Sequence, residues 1–150
     1  MTQTVPCAEC GALLEAGQTC QDHFYQMLGW EWEYQLLEVH HLMVLSYNLQ
    51  HPSILSPDGL KASITLLRQF LEDGITPQQM RERISSGVDS GTRTYKITAT
   101  NGAIGGYAHP VSWTMRASDV IRAGADHYYE SVRRWADSIR AALKESGNFE

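Results

Sequence analysis

Apolar and polar positions follow a helical period along much of the chain. Residues 21–50 are predicted to form one long helix, because the polar positions Glu31, Gln35, Glu38 and His41 are spaced four, three and three apart. From residue 36 onward this stretch is apolar on nearly all sides. The pattern therefore predicts a helix in the middle of a bundle.

Two further long helices are predicted, one on either side of an irregular stretch, and a short helix from Ile75-Thr76-Pro77 to about Ser86-Gly87 is predicted after the first of them. The first begins at Ser56-Pro57, where a hydroxyl can cap the helix and proline fits its first turn, and it ends at Gly74. The second runs from about Ser118 to Lys144. Its apolar positions are spaced alternately four and three apart, as in a bundle seam: Ile121, Ala125, Tyr128, Val132, Trp135, Ile139 and Ala142. The sequence therefore predicts a mainly α-helical bundle.

The chain of 150 residues is predicted to be a single domain, 1–150. Residues 24–86 hold the first helices of the bundle, and 115–145 hold the C-terminal helix. Between them, 87–114 lacks the helical period and is predicted to be an irregular insertion. The strand-like composition of 94–98 and the Asn-Gly turn that follows indicate a short hairpin within it.

Composition and charge exclude several classes of function. Hydrophobic residues make up 43% of the chain and charged residues 19%, as in ordinary globular proteins. A formal net charge of -5 argues against nucleic-acid binding, which needs clustered Lys and Arg. No secretion signal and no apolar run of ~20 residues is present, so no membrane role is expected. Three closely spaced cysteines, an odd number, favour a reduced, metal-binding, cytoplasmic protein over a disulfide framework.

The N-terminal segment 7–23 carries a candidate zinc knuckle. Cys7, Cys10, Cys20 and His23 have the spacing Cys-x2-Cys-x9-Cys-x2-His. Two residues between thiolates allow both sulfurs to reach one ion, and four nitrogen and sulfur ligands are typical of structural Zn²⁺. The alternative is three free cysteines near a frayed terminus beside an ordinary surface histidine.

A second candidate site lies on the long helices. Glu38 and His41 form Glu-x-x-His, and His127 and Glu130 repeat the spacing of three in reverse order on the last helix. If the helices pack side by side, these residues, together with His51, form a mixed histidine and carboxylate metal site with open positions. The alternative is that they are ordinary buried histidines and surface ion pairs.

The irregular insertion ends in an aromatic stretch, "GYAHPVSWTM". A loop that carries Tyr107, His109 and Trp113 can line a pocket or a partner surface. The alternative is a loop that its aromatic side chains hold down against the bundle.

Three segments, "CAECGALL", "HHLMVLSYNLQHPS" and "TMRASDVIRAGADHYYESVRRWADSIRAAL", resemble a family of small bacterial proteins catalogued as a domain of unknown function. Its members have a Cys-x2-Cys-Gly start, a signature in which a His and a Val precede Tyr-x-x-Gln-His-Pro, and a C-terminal helix with a histidine and Val-x-x-Trp-Ala. In this chain the signature is similar to His41, Val44, Tyr47, Gln50, His51 and Pro52. The C-terminal pattern is similar to His127, Val132, Trp135 and Ala136. The resemblance implies no established activity, but it places His41, His51 and His127 at motif positions and so favours the second site.

Two function hypotheses follow. The first is a binding or adaptor module that structural zinc stabilises, whose surface for a protein partner is the knuckle together with the aromatic loop. The second is a metal-dependent enzyme, a hydrolase or transferase, with its site between the long helices. The first needs one metal ion per chain, and the second predicts another metal or a polar cavity. The sequence leaves enzymatic activity and oligomeric state open.

Overall fold

The structure of the chain is a computed structural model, which describes residues 5–15, 17–76, 78–79, 82 and 104–149. Five α-helices lie entirely within these residues: α1 (Cys20–Glu33), α2 (His40–Gln50), α3 (Pro57–Leu71), α4 (Ala117–Ala123) and α5 (Tyr128–Glu145). The predicted mainly α-helical fold is confirmed. None of the described helices combines the length and the apolar character that a membrane crossing requires.

A small antiparallel hairpin precedes the helices. Strand β1 (Val5–Pro6) pairs with β2 (Leu13–Leu14), with Pro6 opposite Leu13. Alternate faces of β2 differ in exposure, since Leu13 is 68% exposed and Leu14 is buried. The hairpin therefore packs one face on the bundle and leaves the other in solvent.

The prediction of one continuous helix over 21–50 is wrong, because this stretch forms two helices. Helix α1 ends at Glu33, and Gln35 takes a left-handed backbone conformation with φ of 56°. A 3₁₀ turn, Leu37–Val39, then leads into α2. A left-handed residue cannot continue a right-handed helix. The polar spacing that indicated one face crosses this break, so Glu31 is buried whereas Glu38 is exposed.

The C-terminal helix is divided in the same way. Gly124, with φ of 90°, ends α4, and the 3₁₀ turn Ala125–His127 precedes α5. Glycine adopts this conformation without the steric penalty that other residues meet. The predicted seam is confirmed along α5, since Tyr128, Val132, Trp135 and Ile139 are fully buried.

Helix α3 begins as predicted. The Ser56 hydroxyl accepts a hydrogen bond from the Gly59 amide at 2.9 Å, and Pro57 occupies the first helical position. Leu60, Leu67 and Phe70 bury the stripe that faces the core.

The predicted irregular insertion, 87–114, is described only in part. Residues 87–103, including the predicted hairpin at 94–98, lie outside the described residues. Residues 104–114 contain no helix or strand, and they pack against the bundle through Tyr107, Val111 and Trp113.

A buried glutamine joins three parts of the core. Gln50 is fully buried; its amide nitrogen donates to the Met115 carbonyl at 2.7 Å, and its oxygen accepts from the Trp135 indole at 3.1 Å. Buried polar groups are costly unless they are hydrogen-bonded. The end of α2, the segment before α4 and the middle of α5 are thereby held in one register.

A buried carboxylate joins α1, α2 and α5. Glu31 is 1% exposed and accepts hydrogen bonds from the Tyr128 hydroxyl and from Nδ1 of His40, the latter at 2.7 Å. The hydrogen bond to Glu31 raises the pKa of His40, and partial burial opposes this rise only in part. A buried charge is tolerated when it is paired and hydrogen-bonded, as it is here.

The His40–Glu31 pair predicts a pH-dependent stability. Because the pKa of His40 is raised in the folded state, its stabilisation is fully present below the ordinary value of 6.5 and is lost as pH rises through the folded value. Since His40 is partly exposed, we expect about 1 kcal/mol. The measurement is the free energy of unfolding by urea at pH 6 and pH 9 for wild type and His40→Gln.

The wild-type protein should exceed His40→Gln by more at pH 6 than at pH 9. His127→Gln, which changes an exposed histidine, serves as the matched control and should track wild type at both values. An equal difference at both pH values would show that His40 contributes no pH-dependent stability.

Candidate metal centre

Four side chains from three separate segments converge on one point. Their ligand atoms, the Sγ atoms of Cys7, Cys10 and Cys20 and a ring nitrogen of His51, all lie within 4.8 Å of one another. Sγ of Cys10 lies 3.6 Å from Sγ of Cys20, and Sγ of Cys7 lies 3.7 Å from Nε2 of His51. Cys10, Cys20 and His51 are buried, and none of the three cysteines forms a disulfide.

The hairpin turn positions the first two thiols. The Cys7 amide donates to the Ala12 carbonyl at 2.8 Å, and the Gly11 amide donates to the Cys7 carbonyl at 2.9 Å. Gly11 has a φ of 78°, a conformation that most residues avoid, so the sequence Cys-Gly suits the turn. This closed turn brings Cys7 and Cys10 to the same side of the hairpin end.

Cys20 is the first residue of α1, where a capping box sets the helix start. The Thr19 hydroxyl accepts from the Asp22 amide at 3.3 Å, and the Asp22 carboxylate accepts from the Thr19 amide at 2.8 Å. Such reciprocal bonds satisfy amides that have no partner within the helix. The third thiol is therefore held on a rigid element.

His51 ends α2, and its ring is fixed by Tyr47. Nδ1 lies 2.7 Å from the Tyr47 carbonyl, and the two rings stack with centroids 4.3 Å apart. A carbonyl only accepts, so Nδ1 carries a proton and Nε2 is the ring nitrogen that faces the thiols. Loss of the Nε2 proton frees a lone pair there for a metal ion. Metal-binding histidines usually show this arrangement, in which the second nitrogen donates to an oxygen.

His51, not the predicted His23, supplies the imidazole of this group. His23 lies in the first turn of α1 and is half-buried, and its Nδ1 has no hydrogen-bond partner. Burial lowers the pKa of His23, although the nearby Asp22 and Cys10 oppose this shift. The prediction of His23 relied on its local spacing of three residues from Cys20. The packing of the end of α2 against the hairpin instead brings His51 to the thiols.

The pKa values of Cys10 and Cys20 are shifted in opposite directions. The neighbouring Cys20 thiol can donate a hydrogen bond to the Cys10 sulfur. This contact lowers the pKa of Cys10 to about 4, although burial acts in the opposite direction. The same contact and burial raise the pKa of Cys20. Burial disfavours the charged His51 ring, but the adjoining thiols and the Tyr47 carbonyl raise its pKa to about 9. Deprotonation of all three thiols would bring like charges close together, and a divalent cation among them would offset that repulsion.

Two outer contacts tie the hairpin to the rest of the bundle. The Arg116 Nε atom donates to the Cys10 carbonyl at 2.7 Å, and another nitrogen of its guanidinium donates to the Trp113 carbonyl at 3.2 Å. On the other side, the Glu9 carboxylate accepts from the Ser53 amide at 3.0 Å. The Arg116–Cys10 and Glu9–Ser53 bonds join segments far apart in the chain and hold the ligand-bearing turn in place.

The donor set fits a tetrahedral metal site. Three thiolates and one imidazole are ligands that zinc takes in structural sites, where four protein ligands leave no position for water. In the part of the chain that the structure describes, no other group of three metal-ligating side chains has this proximity. A Cys₃His group that can hold a metal ion is therefore the candidate functional site.

The comparison with protein families adds an assignment. Residues 5–144 match the model of a family described as "Family of unknown function (DUF5946)". The chain belongs to this family. The matched range contains all four members of the Cys₃His group. No curated protein and no solved structure matches the chain.

In this DUF5946 chain, the second predicted site does not come together as a metal group. Glu38 lies in a 3₁₀ turn, and His127 and Glu130 lie at the start of α5; all three side chains are exposed. His41 lies in the first turn of α2, and its ring neighbour is not a proposed ligand but His40, with centroids 5.4 Å apart. Each predicted pair straddles the junction between a 3₁₀ turn and the following α-helix, so its two members do not lie in one continuous α-helix as the prediction assumed.

A variant pair distinguishes the two histidines of the DUF5946 chain. Loss of a residue that only supports a metal ligand typically weakens metal affinity about 10- to 100-fold. We expect His51→Ala to weaken Zn²⁺ affinity by more than this, because it removes a direct ligand. His23→Ala should bind zinc as wild type does. The measurement is competition with a chromophoric chelator, supported by the thiolate-to-cobalt charge-transfer absorption of the Co²⁺ form.

Both variants remove one imidazole near the thiols, so each serves as the control of the other. Loss of zinc affinity in His23→Ala with retention in His51→Ala would restore the ligand set predicted from spacing and contradict the geometry described above.

Proposed function

We propose that the protein is a zinc-binding helical module in which one Zn²⁺ has a structural role and whose activity is the binding of a protein partner. The observation that carries the first part is the convergence of Cys7, Cys10, Cys20 and His51 on one point. Four protein ligands complete the preferred coordination of zinc, so substrate has no position at the metal.

The structural role of zinc follows from what the ligands join. Cys7 and Cys10 lie in the hairpin turn, Cys20 begins α1, and His51 ends α2. The two-stranded hairpin is too small to be stable alone. Zinc holds it against the bundle, whereas the helices have a core of their own.

Zinc removal tests this role. Protein purified without chelator should contain about one Zn²⁺ per chain. Chelation should lower the free energy of unfolding by about 4 kcal/mol relative to protein with free zinc near 1,000 times its Kd. Because the helical core remains, far-ultraviolet circular dichroism should keep most of its helical signal at 25 °C.

The control for this experiment is the His51→Ala variant, whose weaker zinc affinity should make its stabilisation by the same zinc concentration clearly smaller than that of wild type. Protein that carries no zinc would contradict the proposal. Two or more zinc ions per chain would favour the alternative, a metal-dependent hydrolase or transferase.

The exposed face of α1 supports the binding role. Trp32 is 76% exposed and Tyr25 is 58% exposed, and a spacing of seven puts them on one face, two turns apart. Gly29 lies between them on that face, and a Cβ there would meet no atom within 4 Å. Glycine in an exposed helix interior costs about 1 kcal/mol relative to alanine. Tryptophan and tyrosine are enriched at protein interfaces, and a glycine between them allows a partner's close approach.

The binding role is tested by altering this face. The double variant Tyr25→Ala, Trp32→Ala should leave the melting temperature nearly unchanged, because both side chains are exposed. It should lose the binding of a partner protein that the wild-type chain retains. The measurement is quantitative affinity purification from the native cell, followed by binding of the isolated partner to each variant.

Ile54→Ala, which truncates an exposed apolar side chain outside α1, is the matched control and should retain the partner. The binding role through α1 would be contradicted by equal binding of wild type and the double variant.

A further inference from the structure

We propose that a groove between α3 and the segment 104–109 binds a small organic anion, which carries a phosphate or carboxylate group on an apolar body. The groove has a volume of about 700 Å³. Sites for small molecules commonly measure about 300–1,000 Å³. The groove shares no residue with the Cys₃His group.

The charge of the groove differs from the charge of the chain. Lys61 and Arg68 line one wall, His109 lies in the opposite segment, and none of the described residues that line the groove is acidic. The protein as a whole has a formal net charge of -5. A concave surface with one sign of charge concentrates ligands of the opposite sign. The groove therefore selects an anion.

The two basic side chains are placed to act on the same ligand. They lie seven residues apart on α3, which is two turns or about 10 Å along one face. Lys61 forms no ion pair with a carboxylate of the described residues. The Arg68 guanidinium stacks over the Phe149 ring at 4.7 Å, and its contact with Glu72 is 4.0 Å long. Since Glu72 pairs at 2.7 Å with Lys144, it competes only weakly for Arg68.

Apolar side chains provide the remaining wall. Leu60 and Ile64 line the groove from α3, and Tyr107 lines it from the opposite segment. The Tyr107 hydroxyl donates to the Leu49 carbonyl, so the ring is fixed and its polar atom is already satisfied. Apolar walls with a few placed polar groups are typical of small-molecule sites.

The segment opposite α3 is held in place at both ends. The Gly105 amide donates to the Leu55 carbonyl at 2.7 Å, and a Cβ at Gly105 would lie 3.0 Å from the Pro52 carbonyl oxygen. The Asn148 side chain accepts from the His109 amide at 3.2 Å and donates to the His109 carbonyl at 2.9 Å. A preformed site loses less free energy on binding than one that must be ordered.

A neighbouring cavity differs from the groove in the charge of its lining residues. It measures about 320 Å³ and shares Tyr107, Ala108 and His109 with the groove, but its described lining residues include Glu9 and no Lys or Arg. The positive charge is therefore confined to the side of the segment that faces α3.

Three probes of similar size test the proposal: phenyl phosphate, benzoate and the neutral benzamide. Binding to the zinc-loaded full chain is followed by isothermal titration calorimetry and by amide shifts in nitrogen-15 spectra. We expect at least one anion to bind saturably and benzamide to bind about 10-fold more weakly or worse, because a charged hydrogen bond is lost. Lys61→Gln and Arg68→Gln should each weaken the anion by about 10-fold or more.

Two further variants make the test specific. Gly106→Leu adds a side chain at a groove position where a Cβ meets no atom within 4 Å, so it should weaken the anion by filling space without straining the fold. Arg122→Gln removes one positive charge from an exposed position on α4 and should leave affinity unchanged.

Several outcomes would overturn the proposal. These are the absence of saturable binding by both anions, equal affinity for benzamide, or a loss in Arg122→Gln as large as in Lys61→Gln. A normal melting temperature in each variant excludes misfolding as the cause of a loss.

Discussion

The packing of the hairpin and the first two helices is constrained by one requirement, that three thiols and one imidazole meet within 4.8 Å. The hydrogen bond from His51 Nδ1 to the Tyr47 carbonyl is central to this arrangement, since it decides which ring nitrogen faces the thiols. The Arg116 contact with the Cys10 carbonyl then holds the hairpin turn from the opposite side. The first bond is local and the second joins residues 106 positions apart, so the site and the fold are positioned together.

Two buried polar bridges determine how α5 packs on the preceding helices. Gln50 joins α2 to Trp135 and Met115, and Glu31 joins α1 to Tyr128 and His40. Apolar packing alone tolerates small shifts of one helix along another, whereas a buried hydrogen bond is costly to break. Because Gln50 directly precedes His51, the bridge that sets the register of α2 also fixes the position of the fourth ligand. The bundle therefore holds the Cys₃His group in position.

The helical class of the fold could be predicted because apolar periodicity is a property of neighbouring residues. Capping by Ser56 and the buried seam of α5 also depend on short segments, and both are present. The breaks at Gln35 and Gly124 could not be located from periodicity. Spacings of three and four continue across a short 3₁₀ turn with little change in pattern, so the sequence from 21 to 50 resembles one helix. A glycine within a helical pattern was the available signal at Gly124.

The sequence by itself determined the mainly helical fold and the three thiols of the site, since the Cys-x2-Cys turn and the helix start at Cys20 are local. It did not determine the fourth ligand. His23 had the favourable spacing, but His51, 44 residues from Cys7, has the position. The Tyr-x-x-Gln-His-Pro signature contained the signal, because Tyr47, Gln50 and His51 act as a unit. Only tertiary packing decides which imidazole reaches the thiols, because coordination depends on distance in space and not on separation along the chain.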